Sequence, residues 1–180
     1  MDTQTVLQSD TLLLRAPELS DLDFMFHIEN DTRLWNVSAC KVPYSRYLLQ
    51  QYIETNTHDI YADKQVRLMI EYRPNGKVVG AVDLFDFNPA NRRAEMGIII
   101  DAAYRRQGFA KEALALMCEY VDKMLGIHQV YAYIFEENNA ARQLLATGGF
   151  NHIATLPDWV FAHKKYTSVC LYQRIFENNQ

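Results

Sequence analysis

Three cysteines in 180 residues, Cys40, Cys118 and Cys170, are odd in number and far apart. They suggest neither a disulfide framework nor a metal site. The five histidines show no metal-ligand spacing either, so no metal is expected. Apolar runs are only a few residues long, too short for any segment to span a membrane. Met1-Asp2-Thr3-Gln4 lacks the basic start and apolar stretch of a secretion signal, and a reducing cytoplasm is the expected setting. There is no internal repeat, low-complexity tract or proline-rich linker. Residues 1–180 are therefore expected to form one domain. A net charge of −4 is too mild to predict a nucleic-acid surface.

Hydrophobic residues at 49% and charged residues at 22% are those of an ordinary globular chain with a real core. Residues 1–90 hold 13 acids and 8 bases, whereas residues 91–180 hold 9 and 10. The second half is the better home for a polyanionic ligand and the first for a cation; chance scatter of surface charge would look the same.

Periodicity and punctuation give the elements. Thr11–Ala16 reads as a strand closed by Pro17. Ser20-Asp21 reads as the cap of a helix running to about Glu29, and a second helix covers about Ser45–Thr57. Val66–Tyr72 and Val78–Phe87 are strands joined by Pro74-Asn75-Gly76, a strong hairpin signal. A strand at Arg93–Ile100 precedes a helix over 109–124, whose Ala110, Ala113, Leu114, Met117 and Val121 recur at helical spacing. Gln129–Phe135 is a strand, and Asn139–Thr147 a helix ended by Gly148-Gly149. Strands at about Phe150–Leu156 and Lys165–Phe176 complete a mixed sheet in a single α/β layer structure.

Arg105-Arg106-Gln107-Gly108-Phe109-Ala110 lies between that strand and helix. A helix start exposes unpaired N–H groups and partial positive charge, a ready anion site. Gly108 lets the backbone approach a ligand closely, and the two arginines can add charge-assisted contacts. A solvated basic turn is the competing reading.

The segment resembles the Gcn5-related N-acetyltransferase superfamily, whose cofactor turn runs Gln/Arg-x-x-Gly-x-Gly/Ala. A second signature follows in Glu137-Asn138-Asn139-Ala140-Ala141, a short helix and Gly149-Phe150. The resemblance implies a single-domain fold with a mixed, mostly antiparallel sheet and helices on both faces. It implies acetyl-CoA as cosubstrate and transfer of its acetyl group to a primary amine. Backbone groups of Ile98, Ile99 and Ile100 would bind the pantetheine arm where a bulge splays two strands. Amides from Arg106 to Lys111 (Gln107, Gly108, Phe109 and Ala110 between them) would cradle the pyrophosphate, with Arg105 beside them. Asn138 would hydrogen-bond the cofactor arm.

Acetyl transfer needs a neutral amine, a polarised carbonyl and a proton for the departing thiolate. A backbone N–H near Ile98 could serve the developing oxyanion. Glu95, three residues before Ile98, is the first choice as general base, acting directly or through water; a salt bridge to Arg92 or Arg93 is its alternative. Asp83 is a weaker candidate. The family's usual acid is a tyrosine four residues before Gly-Phe, and here that position is Leu145, which is expected to pack against the sheet. Tyr166 is the substitute the resemblance suggests, aromatic packing at the hairpin being its alternative; solvent could also protonate the thiolate. Trp35 and Trp159 could line an acceptor pocket, core or lid packing being the favoured reading.

Arg92-Arg93-Ala94-Glu95 followed by Ile98-Ile99-Ile100-Asp101 is most similar to the spermidine/spermine acetyltransferase branch, with the ribosomal-protein N-terminal acetyltransferases close behind. The polyamine enzymes carry an acidic cluster before a Pro-Tyr pair. Here Cys40-Lys41-Val42 precede Pro43-Tyr44. The expected acceptor is a polyamine or other small amine, with a peptide N-terminus as the rival. A cofactor-binding sensor that has lost turnover is the rival of another class, motivated by Leu145. Neither nucleic acid nor membrane is expected as a partner, and a homo-oligomer is left open.

Overall fold

In the computed structural model, residues 6–34, 42–162 and 164–177 are described. Seven strands form one sheet: Leu12–Arg15 (β1), Val66–Tyr72 (β2), Lys77–Asn88 (β3), Arg93–Ile100 (β4), Gln129–Phe135 (β5), Asn151–Ala162 (β6) and Lys165–Ile175 (β7). Their spatial order is β1-β2-β3-β4-β5-β7-β6, and only β4 and β5 run parallel. The helices are Leu22–Glu29 (α1), Arg46–Thr55 (α2), Ile60–Asp63 (α3), Phe109–Lys123 (α4) and Asn139–Thr147 (α5). The sheet is mixed and mostly antiparallel, as expected.

Helices cover both faces. Phe109, Ala113, Leu114, Met117 and Val121 of α4 join Leu84, Ala94, Met96 and Val130 in the larger core. On the other face, Met25 and Ile28 of α1 and Leu49 of α2 pack on Met69 and Ala81. This explains why Val79, Ala81, Val82 and Leu84 of β3 are all fully buried: a central strand covered on both sides loses the polar alternation of a half-exposed one.

Local chemistry sets the element ends. The Ser45 hydroxyl accepts the Leu48 N–H at 3.1 Å and starts α2. Asn138 does the same for α5 through the Ala141 N–H, also at 3.1 Å. That helix stops where Gly149 turns left-handed at φ 83°, and the Phe150 N–H returns to the Leu145 carbonyl at 3.0 Å. Gly148 allows α5 to lie close on α4, since a Cβ there would sit 2.5 Å from a Leu114 methyl.

Two differences from the sequence reading have clear causes. The helix expected from Ser20-Asp21 opens with a 3-10 turn at Leu19–Asp21, because Asp21 is buried and holds the Arg15 guanidinium at 2.7 and 2.9 Å. Strand β6 continues past Leu156 to Ala162, through Pro157. It lies at the sheet edge, where a missing N–H costs no ladder bond, and a bulge between Leu156 and Val160 absorbs the extra residues.

Candidate active site

Strands β4 and β5 pair over only three positions, Arg93 with Gln129, Ala94 with Val130 and Glu95 with Tyr131. Beyond Glu95 both continue without pairing, so a wedge opens between them. The register of β4 against β3 is unbroken from Glu95 to Ile100. The irregularity falls on β3 instead, between Phe85 and Asn88, where Asp86 takes φ 52°.

Backbone alternation decides which groups face the wedge. The Asp101 N–H donates to the Val79 carbonyl at 2.9 Å, so residues 97, 99 and 101 serve β3 while 98 and 100 point toward β5. Ile98 and Ile100 thus present backbone groups to the wedge. Ile99 does not, because its groups belong to the β3 ladder. The Ile100 carbonyl accepts the Arg105 guanidinium at 3.0 Å.

The wedge leads to the basic turn. A 3-10 turn at Ala102–Tyr104, capped by the Asp101 carboxylate on the Ala103 N–H at 2.8 Å, carries the chain across. Arg106 (φ 62°) and Gly108 (φ 89°) are both left-handed, and curl the backbone into a concave run of amides. Among the described residues, the amides of residues 106–110 find no backbone acceptor, whereas the Lys111 amide closes onto the Gly108 carbonyl at 3.1 Å. The Phe109 side chain leaves for the core, where its ring meets Tyr72 at 5.3 Å. A Cβ on Gly108 would meet nothing within 4 Å, so open space lies in front of the turn. Asn138 has its carboxamide oxygen committed to capping α5, leaving its NH2 as a donor.

At the apex of the wedge, Glu95 shares a sheet face with Phe85 and Asp83 on β3 and Tyr131 on β5. Its carboxyl is pushed up to about 7, by burial first and by the charge of Asp86 second. Among the described residues it forms no ion pair with Arg92 or Arg93; the Arg92 guanidinium donates to the Gly126 carbonyl instead. The Tyr131 hydroxyl donates to Asp86 at 2.8 Å, and burial together with that bond raises the phenol well above its ordinary value.

Asp83 is a structural group in this setting. Its two oxygens take the Arg67 guanidinium at 2.7 and 3.0 Å, and Glu29 takes the remaining side of the same arginine. Both oxygens are engaged by the guanidinium, an arrangement that fixes the carboxylate in place. Asp83→Asn is expected to destabilise the protein by about 2 kcal/mol in urea unfolding at pH 7, because it leaves Arg67 half-compensated inside the fold.

Leu145 is 3% exposed and belongs to the larger core. Tyr166 stands at the far end of the β6–β7 hairpin, 64% exposed, its ring edge-on to Phe161 at 5.2 Å. The β7 residue level with Tyr131 is Gln173, seven positions away, roughly 23 Å of regular strand. Within one chain, the structure does not bring Tyr166 to Glu95.

Trp159 is not a core residue: it is 58% exposed, and its ring stacks on Tyr133 at 6.2 Å. Sequence reasoning passed over Asp86, Tyr131 and Tyr133. The alternation of Tyr131 and Tyr133 with buried Val130 and Ala132 is the signal that could have found the two tyrosines. Trp35, Cys40 and Lys41 lie outside the described residues. Among the described residues no group of three or more His, Cys, Asp or Glu could hold a metal ion, and no helix is long and apolar enough to cross a membrane.

A wedge between parallel strands, ending in a curled amide turn at a helix start, is a candidate site for an extended ligand that ends in phosphates. The sequence profile of the acetyltransferase (GNAT) domain family matches residues 11–151, and the chain belongs to that family of acetyltransferases. It is 27% identical over 159 residues to the spermidine N(1)-acetyltransferase of Vibrio cholerae, covering 88% of this chain and 89% of that protein. It is likewise 27% identical over 167 residues to the spermidine N(1)-acetyltransferase of Escherichia coli K12, covering 89% and 85%. The structure of the Vibrio cholerae spermidine N-acetyltransferase in complex with CoA and spermine shares the fold, with a TM-score of 0.84 at 24% identity over 93% of this chain and 96% of that one. The residues present fit such a cofactor: the unpaired edges of β4 and β5 suit an amide-bearing arm, and the free amides before open space suit its phosphates.

Proposed function

We propose that this protein acetylates a primary amine, a polyamine or other small amine, at the apex of the wedge, with Glu95 as the base. The observation that carries the reading is a half-buried carboxyl without an ion-pair partner among the described residues, raised to about 7, at the point where β4 and β5 part. The spermidine specificity in the names of its relatives supports a polyamine as the acceptor.

Acetyl-CoA, when bound, supplies the acetyl group as an activated thioester. Ile98 and Ile100 would hold the pantetheine arm through their backbone groups, the amides of residues 106–110 its pyrophosphate, and the Asn138 NH2 the arm as it leaves β5. The Ile98 N–H, fixed by the sheet, is the donor for negative charge growing on the carbonyl oxygen. Glu95 takes the proton from the incoming ammonium, directly or through one water. A base with pKa near the working pH is matched to that task. Solvent takes the second proton from the attacking nitrogen and protonates the departing thiolate in this reading, since Leu145 has no proton to give, Tyr166 is distant, and the Tyr131 proton is committed to Asp86.

The test is release of free thiol from acetyl-CoA over a panel containing spermidine, butylamine and a peptide with a free N-terminus. Turnover on the amines is expected. Turnover confined to the peptide would make the protein an N-terminal acetyltransferase, and tight acetyl-CoA binding without turnover on any amine would make it a sensor.

A further inference from the structure

We infer that Tyr133 and Trp159 select the acceptor, holding a second ammonium nitrogen of a diamine or polyamine while its terminal amine is acetylated beside Glu95. The inference rests on the acetyl-transfer reading and adds the residues that give it specificity.

Tyr133 lies two positions beyond Tyr131 on β5, on the same sheet face as Glu95. Trp159 belongs to β6, which does not pair with β5; β7 lies between them. It reaches Tyr133 because the β6 bulge between Leu156 and Val160, with Asp158 at φ 51°, carries its side chain across β7. The rings then run outward from the apex in steps, Tyr131 edge-on to Tyr133 at 5.7 Å and Tyr133 stacked on Trp159 at 6.2 Å, with 24° between the last two planes. Two irregular backbone sites, at Asp86 on β3 and Asp158 on β6, therefore aim side chains at one face.

Core packing does not account for this row. Tyr133 is 38% exposed and Trp159 58% exposed, so two large rings are held together with much of their surface in water. The charges beside them are Glu95 and Asp86 at one end and Asp158 at the other. Among the described residues none of the three carboxylates has an ion-pair partner. The cations in register with this face stand away from the rings: Arg67 is held by Asp83 and Glu29, Arg93 is level with Gln129, four positions before Tyr133, and Lys165 lies six positions from Leu171, the β7 partner of Tyr133. Aromatic surface flanked by carboxylates is complementary to a ligand with cationic nitrogens on an apolar chain. Ammonium groups bind the faces of Trp and Tyr through the ring quadrupole, and methylene spacers can lie along the row. An acidic acceptor would be repelled, and a short monoamine cannot occupy both ends.

The test is the ratio of kcat/KM for putrescine to kcat/KM for butylamine, four-carbon amines that differ in the second nitrogen. Being a ratio, it is insensitive to losses of folded protein. The wild type is expected to prefer putrescine, and Trp159→Leu and Tyr133→Leu to reduce that preference by about 3- to 30-fold. Trp159→Phe, which keeps a ring face, retains most of it. An unchanged ratio in both leucine variants, or a wild type that uses the two amines equally, overturns the subsite and leaves acetyl transfer standing. A wild type that releases thiol with neither amine nor spermidine overturns the acetylation of small amines itself.

Discussion

Glu95→Gln is expected to lower kcat/KM for amine acetylation by about a hundred- to a thousand-fold, with CoA affinity retained. The substitution keeps the shape and the hydrogen-bonding capacity of the side chain and removes only its ability to take a proton. The pH profile separates this from a structural loss. In the wild type, log kcat/KM should bend near pH 7, where the Glu95 carboxyl, raised to about 7 by burial and by Asp86, gains its charge. In the variant that bend disappears. Activity within a few-fold of wild type, or an unaltered bend, would remove Glu95 as the base.

The same substitution should stabilise the fold, and the sign follows from the direction of the shift. A carboxyl raised from 4.5 to about 7 on folding binds protons more tightly in the folded state, so stability declines as pH rises from about 4.5 to 7 and stays reduced above that. Glu95→Gln escapes the decline. It should gain about 1–2 kcal/mol at pH 8 in urea unfolding, after allowance for the part of the side chain that solvent still reaches, and almost nothing at pH 4. Lower activity with higher stability would mark a group kept for chemistry at the expense of the fold.

Much of the scaffold was legible in the sequence. Strands 66–72, 93–100 and 129–135 and the helix at 139–147 lie where hydrophobic alternation, the Pro74-Asn75-Gly76 turn and Gly148-Gly149 put them. These signals are local, and local signals survive folding. What was not legible depends on where extra residues enter a strand. The β3 bulge turns Asp86 toward Tyr131, and the β6 bulge carries Trp159 over Tyr133. The one extra residue of β3 reverses the face that the side chains after it point to, the two extra residues of β6 buckle that strand locally, and nothing in Asp86-Phe87 or Pro157-Asp158 announces either. The strand was expected to end at about Leu156, and a sequence does not say which strand will lie at the edge, where Pro157 is tolerated. The wedge was equally hidden: β4 reads as an ordinary buried strand, and only the failure of β5 to follow it past Tyr131 leaves the Ile98 backbone unpaired.

Gly108→Val should weaken CoA binding by about a hundred-fold or more while the protein stays folded. The prediction rests on two features of the turn that separate affinity from stability. Gly108 sits at φ 89° and ψ −11°, a left-handed conformation that a β-branched residue adopts only under strain. Because its added Cβ would meet nothing within 4 Å, the fold can relax by rotating the turn rather than by disturbing the core. That rotation re-aims the amides of residues 106–110, the groups assigned to the pyrophosphate, and the valine methyl groups enter the space a phosphate would approach. Anion binding by fixed amides depends on all of them pointing at one place, so a modest rotation removes several contacts together. Gly108→Ala, with a smaller obstruction and less strain, should fall between the two. Titration calorimetry of CoA into the three proteins measures the series, and their urea midpoints check that each is folded. A folded Gly108→Val protein with wild-type affinity for CoA would refute the phosphate turn and place the cofactor elsewhere on the sheet.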